Sequence, residues 1–170
     1  MLFVVQRYGE QIAGGSEQCC RLFAERMSTL GHEVSVATSC AKNYTDWANE
    51  FPPGLERIND VDVHRFPVNE KRNGERFSNV DSSVVWGGFP TPLVTQELWV
   101  NEMGPRTIDL PKWVAEQADT FDIAIFFTYL YYPTIRGLPA AAGKLPTLFQ
   151  PTAHVEPHMT VPLFDRLFRL

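Results

Sequence analysis

The chain is poor in cysteine, in positive charge and in long apolar runs. Its cysteines are Cys19, Cys20 and Cys40, an odd number without metal-type spacing, which excludes a disulfide framework and a cysteine metal site. Buried thiols in a reducing cytoplasm are the expectation. Fifteen Lys and Arg stand against twenty Asp and Glu, a net charge of −5. That balance argues against nucleic acid as the main partner and against attachment to anionic lipid by charge alone. The longest apolar run, residues 123–127, is strand-sized and far below the ~20 residues of a membrane span. No basic leader followed by an apolar stretch opens the chain, which again points to the cytoplasm.

The usual phosphate-binding signatures are missing as well. There is no G-x-G-x-x-G, which removes the dinucleotide fingerprint. The stretch from Gly137 to Lys144 is one residue too long for a P-loop, and Leu145 stands where a Ser or Thr would bind magnesium. No internal repeat or low-complexity tract is present.

What is present is a globular composition, 44% hydrophobic and 21% charged, over 170 residues. That suits one domain or one large half of a two-domain protein. Residues 2–6 read as a buried strand. Residues 16–30 carry apolar positions at helical spacing, and Gly31 is placed to end that helix in a left-handed turn. Residues 33–38 read as a second strand, so the chain opens with a βαβ unit whose strands are parallel. A turn-rich loop through Phe51 to Gly54 precedes a third strand over 61–66. Residues 69–94 are polar, then rich in Gly and Pro, and read as a long loop. Helices are expected within 95–103, ended by Gly104-Pro105, and over 110–118. Residues 122–127 form an unbroken apolar strand suited to a position covered on both faces. A helix over 134–142, a strand over 147–150 and a helix from 161 complete the chain. Alternating strands and helices predict an α/β fold, doubly wound, with a mostly parallel sheet and helices on both faces. In such sheets ligands bind beyond the carboxyl ends of strands, here residues 6–15, 128–133 and 151–157.

Gly14 and Gly15 fall where the first strand gives way to a helix. They would let a phosphate approach the backbone and the free N–H groups of the helix. A tight strand-to-helix turn also favours glycine for its own sake, and both readings stay open. His154, Glu156 and His158 resemble a metal cluster, but Pro157 denies them a regular helix. A histidine beyond a strand end can instead hydrogen-bond a ligand. Asp60-Val61-Asp62 copies a metal-binding D-x-D but precedes a strand, as a solvated turn would. Tyr129, Tyr131 and Tyr132 crowd one strand end, and Tyr44 and Trp47 lie in another loop; each group suits either a sugar or base platform or core packing.

Five ordered segments carry a resemblance to a known family. They are QRYGEQIAGGSE, GHEVSVATSCAKNYTDW, VDVHRFPV, FTYLYYPTIRGLP and PTAHVEPHMTVPLFDRLFR. With them the chain resembles the N-terminal domain of GT-B glycosyltransferases, in the retaining family-four group. The resemblance implies that residues 1–170 form the acceptor-side, Rossmann-like half of a two-domain enzyme. A C-terminal domain outside this chain would hold most of a nucleotide-sugar donor. It implies no metal and no cofactor beyond that co-substrate. The acceptor would be a sugar, a lipid-linked molecule or a small molecule, with peripheral association at the inner membrane face compatible with a lipid-linked one. By position, Gly14 and Gly15 would face the donor diphosphate and His154 would touch the donor sugar as the catalytic residue. Glu17, Tyr44, Trp47, Tyr129 and Tyr132 become candidates for the cleft wall. The family pattern has an Asp after the loop histidine, where this chain has Val155, leaving Glu156 as the nearby carboxylate. It also has an Asp before Tyr44, where this chain has Asn43. The alternative is a stand-alone nucleotide- or sugar-binding module, or one subunit of a split enzyme. A metal-dependent hydrolase built on His154, Glu156 and His158 stands further off.

Overall fold

The computed structural model describes residues 1–87 and 91–170. The elements in chain order are β1 (Leu2–Val4), α1 (Gly15–Thr29), β2 (Ser35–Ser39), β3 (Gly54–Ile58) and β4 (Val61–Phe66). They continue with α2 (Gly74–Trp86), α3 (Leu93–Met103), α4 (Asp109–Glu116), β5 (Ala124–Phe127), α5 (Tyr132–Ala141), β6 (Thr147–Gln150) and α6 (Pro162–Leu167). Among the described residues one sheet forms, in the order β3-β4-β2-β1-β5-β6. Every neighbouring pair is parallel except the β3–β4 hairpin. Helices cover both faces, so the fold is α/β and doubly wound.

The two faces follow from alternation along β1. Leu2 and Val4 point to the side that carries α2 to α6, where they join Phe126, Trp99, Leu110, Ile135 and Phe164 in the larger core. Phe3 and Val5 point to the side covered by α1, where they meet Cys20, Ala24, Val36 and Val63. The helix α1 stops as its sequence suggests: Gly31 takes φ 92°, and the His32 N–H donates back to the Met27 carbonyl at 3.2 Å. β5 lies between β1 and β6, inside the sheet.

Two features depart from the sequence expectations. The stretch 69–94 is not one long loop, because α2 occupies Gly74–Trp86 and α3 already begins at Leu93. Asn73 caps α2 by accepting the Arg76 N–H at 2.9 Å, and Phe77, Val80 and Val84 supply a narrow apolar stripe among polar residues. Residues 88–90 of that stretch lie outside the described residues. The second departure is β3, which pairs antiparallel with β4 through a two-residue turn at Asn59 and Asp60. Both adopt positive φ, 48° and 62°, as a tight hairpin requires. Asp60 therefore sits in a turn, whereas Asp62 lies on β4 and accepts from Arg57 Nη1 at 2.8 Å. Among the described residues no helix is long and apolar enough to cross a membrane.

His64 lies on β4, its ring 4.5 Å from that of Trp113. Burial lowers its pKa from the ordinary 6.5, against a smaller opposing pull from Asp62. The unfolded chain therefore binds a proton that the folded chain resists, and the stability contribution is lost as pH falls below the ordinary value. Urea denaturation across a pH series should show the wild type losing stability between about pH 7 and pH 5, with a visibly shallower loss in His64→Gln.

Candidate functional site

The chain runs outward from β1 to β2 and β4, then returns to place β5 on the other side of β1. Loops leaving β1 and β5 part at that reversal, so a crevice opens beyond their carboxyl ends. The structure holds a cavity of about 540 Å³ there. Loops that follow β1, β5 and β6 converge on it, and Tyr44 closes one side.

The loop after β1 ends at Gly14, and Gln18 is the first α1 donor to find a helical partner, the Gly14 carbonyl at 2.9 Å. No side chain caps the helix, so the N–H groups of Gly15, Ser16 and Glu17 have no protein acceptor among the described residues. Open space lies before Gly15. The carboxylate of Glu17 folds back beneath Gly14, where it accepts from Ser16 Oγ at 2.7 Å. Arg7 clasps it from below: Nε and Nη2 donate to Glu17 Oε1 at 2.8 and 2.5 Å. Two further Arg7 donors reach the Lys42 carbonyl at 3.0 Å and the Ala13 carbonyl at 3.3 Å. Arg7 and Glu17 are 7% and 5% exposed, so this ion pair is nearly dry. Beside it Gln6, 2% exposed, lines the cavity and donates Nε2 to Ser16 Oγ at 3.1 Å, leaving its Oε1 without a partner.

Just beyond β5 and β6 stand two threonines with left-handed backbone, Thr128 directly after β5 at φ 67° and Thr152 two residues after β6 at φ 48°. Such a conformation costs a β-branched residue about 1–2 kcal/mol. The two side chains meet at 3.0 Å between their Oγ1 atoms. The sharp strand ends bring Leu130 and Tyr131, and Ala153 and His154, onto the cavity wall.

Five residues expected at a site therefore share this cavity: Gly14, Gly15, Glu17, Tyr44 and His154. Four others lie outside its lining. Trp47 is buried, donates Nε1 to the Met103 carbonyl at 2.8 Å and packs edge-on behind Tyr131 at 5.4 Å. Tyr129 is buried too, its hydroxyl donating to Glu156 Oε1 at 2.6 Å. Burial and then Glu156 push that phenol's pKa well up. Tyr132 opens α5, buried beside Arg136. Glu156 is engaged by Tyr129, and its other oxygen is 4.0 Å from His158 Nδ1. His158 is not part of the cavity lining; its Nε2 lies 3.0 Å from Asp81 Oδ1 and its ring stacks on Trp99 at 5.7 Å. Among the described residues no group of three or more His, Cys, Asp or Glu side chains could hold a metal ion.

A larger hollow of about 810 Å³ lies at the amino ends of the strands, beside Met1, Glu33 and Asp122. It meets the carboxyl end of α1 at Ser28 and Thr29, where helix carbonyls rather than N–H groups point outward. The strand-end cavity is the better site because only it combines open N–H donors with converging loops.

Sequence reasoning passed over Arg7, Gln6, Thr128 and Thr152, and it left Tyr131 open between a ligand platform and core packing. An arginine and a glutamine directly after an apolar strand were the available signal, since such residues seldom follow a buried strand without a partner. Comparison with family models, curated proteins and solved structures finds no match for this chain.

The two glycines should respond differently to substitution. A Cβ on Gly14 would lie 2.8 Å from Glu17 Cδ, whereas one on Gly15 meets nothing within 4 Å. A free glutamate could swing aside, but this one is held by Arg7. Gly14→Ala should therefore destabilise the fold by about 1–3 kcal/mol, while Gly15→Ala stays within about 0.5 kcal/mol of wild type in chemical denaturation.

Proposed function

We propose that the chain is the acceptor-side domain of a retaining glycosyltransferase that moves a sugar from a nucleotide-sugar donor to an acceptor hydroxyl. The observation that carries this reading is the convergence of three strand-end loops on one cavity, with the open amino end of α1 at its edge. In this reading the first-turn N–H groups at Gly15 and Ser16 receive the distal phosphate of the donor. His154 touches the sugar, and Tyr44 and Tyr131 form the wall against which donor or acceptor packs. Transfer breaks the bond between the anomeric carbon and the phosphate oxygen and forms one to the acceptor oxygen on the same face. The hydroxyl proton passes to the departing phosphate. The protein's contribution is position and stabilisation of the leaving charge, without metal. A second domain completes the donor site, and the work is done in the cytoplasm or at the inner membrane face.

One observation favours the alternative, a nucleotide- or sugar-binding module without catalysis. Of the basic side chains lining the cavity, Arg7 is committed to Glu17 and to two carbonyls, and His154 is the other.

The chain of residues 1–170 should bind a nucleoside diphosphate weakly and give no transfer by itself. Titration followed by amide NMR should move Gly15 and Ser16. Gly15→Val, which fills the open space before the turn, should weaken binding at least about tenfold without lowering the melting temperature. Turnover by this chain alone would refute the half-enzyme reading. Binding untouched by Gly15→Val would refute the placement of the phosphate.

A further inference from the structure

The amino end of α1 attracts an anion, yet the same turn already contains one. Glu17 stands in the first turn of the helix with its carboxylate folded back beneath Gly14. Unopposed, that charge would repel a phosphate at Gly15. Arg7 opposes it from the other side, through the paired contacts to Oε1. Every Arg7 nitrogen is engaged, by Glu17 and by the carbonyls of Ala13 and Lys42, which leaves a single Nη1 N–H and no two-pronged fork for a ligand. Its main effect on a ligand is through its field. Because both groups are almost dry, water and salt screen that field poorly. The unpartnered Oε1 of Gln6, buried against the same cavity, is an acceptor and an independent sign of an occupant that brings a hydroxyl donor beside its phosphate.

We infer that Arg7 and Glu17 are a charge-setting pair that determines how negative a ligand the glycine turn accepts, with Arg7 cancelling the carboxylate so that a phosphate meets the helix N–H groups in a neutral field. This inference rests on the reading of the turn as a phosphate site and adds a specificity determinant to it. The pair also predicts opposite consequences for its two members, which a purely structural role does not. Removing Arg7 unmasks a buried carboxylate beside the ligand. Removing the charge of Glu17 while keeping its shape unmasks a buried cation there. Both changes weaken the fold, but only one of them weakens anion binding.

The test uses inorganic pyrophosphate, titrated into the 170-residue chain, with the Gly15 and Ser16 amide resonances reporting the site and thermal melts confirming that each protein is folded. Glu17→Gln should tighten pyrophosphate about tenfold, and Arg7→Met should weaken it about tenfold or more. Arg7→Met/Glu17→Gln, neutral like the wild-type pair, should return within about threefold of wild type, and Arg7→Lys, which keeps the charge but not the fork, should do the same. If Arg7→Met does not fold, the order Glu17→Gln above both wild type and the double variant carries the same information. Weaker binding in both single variants, or no change in either, overturns the inference and leaves the pair a structural brace. Pyrophosphate that moves neither amide in any of the proteins overturns the phosphate reading itself, and the inference falls with it.

Discussion

The buried ion pair between Arg7 and Glu17 is the constraint around which the functional end of the molecule is organised. It joins the chain leaving the central strand to the first turn of the helix that follows, and a third arm reaches the Lys42 carbonyl in the loop after β2. Breaking one side of such a pair commonly costs about 3–5 kcal/mol, because the remaining charge is left in a poorly solvated place. The pair therefore holds the glycine turn in one geometry. Three N–H groups stay open at the turn because Gly14, the N-cap residue, has no side chain to accept from them, while Glu17 is held by Arg7 and Ser16.

Topology explains why this end of the sheet, and not the other, carries the candidate site. The chain moves to one side of β1 for its first half and to the other side for its second. Consecutive loops diverge at that change of direction, and the gap cannot be filled by a helix packed on either face. Tyr131 and His154 enter the gap from the second half, and Gly14, Gly15 and Tyr44 from the first. The larger hollow at the opposite end is of another kind, lined by the carboxyl end of α1 and the amino ends of the strands rather than by a helix amino end.

Much of this was legible in the sequence where the pattern reports burial directly. The apolar runs in β1 and β5 and the helical spacing in α1 gave the parallel sheet, and the glycine turn followed from the junction of β1 and α1; the strand order that creates the switch point did not. Two elements were hidden for physical reasons. α2 presents only Phe77, Val80 and Val84 to the core, and its polar majority and serines read as loop. β3 is an edge strand whose exposed residues carry no alternation, and its turn uses Asn59-Asp60 rather than a glycine. Within the site, spacing could bring forward the glycines and His154, but it could not separate tyrosines that differ only in which way they face. Tyr129 and Tyr131 are two residues apart; one is enclosed beneath Phe164 while the other faces the cavity. The left-handed turns at Thr128 and Thr152 decide that difference, and threonine gives no hint of them in advance.

The segment that carries His154 shows how residues resembling a metal cluster serve a different purpose. Val155 is fully exposed, so the segment has little apolar burial of its own to fix it at that point. Its anchors are polar. Glu156 accepts from Tyr129 at the end of β5, and His158 reaches Asp81 on α2 while stacking on Trp99 of α3. Asp81 also accepts from Trp99 Nε1 at 2.7 Å, so one carboxylate ties both helices to the same histidine. The cavity wall at His154 thus depends on α2 and α3 although neither helix lines the cavity. The helices α2 and α3 act on the cavity wall through that carboxylate: a shift of the pair moves His158, and His154 lies only four residues before it on the same loop.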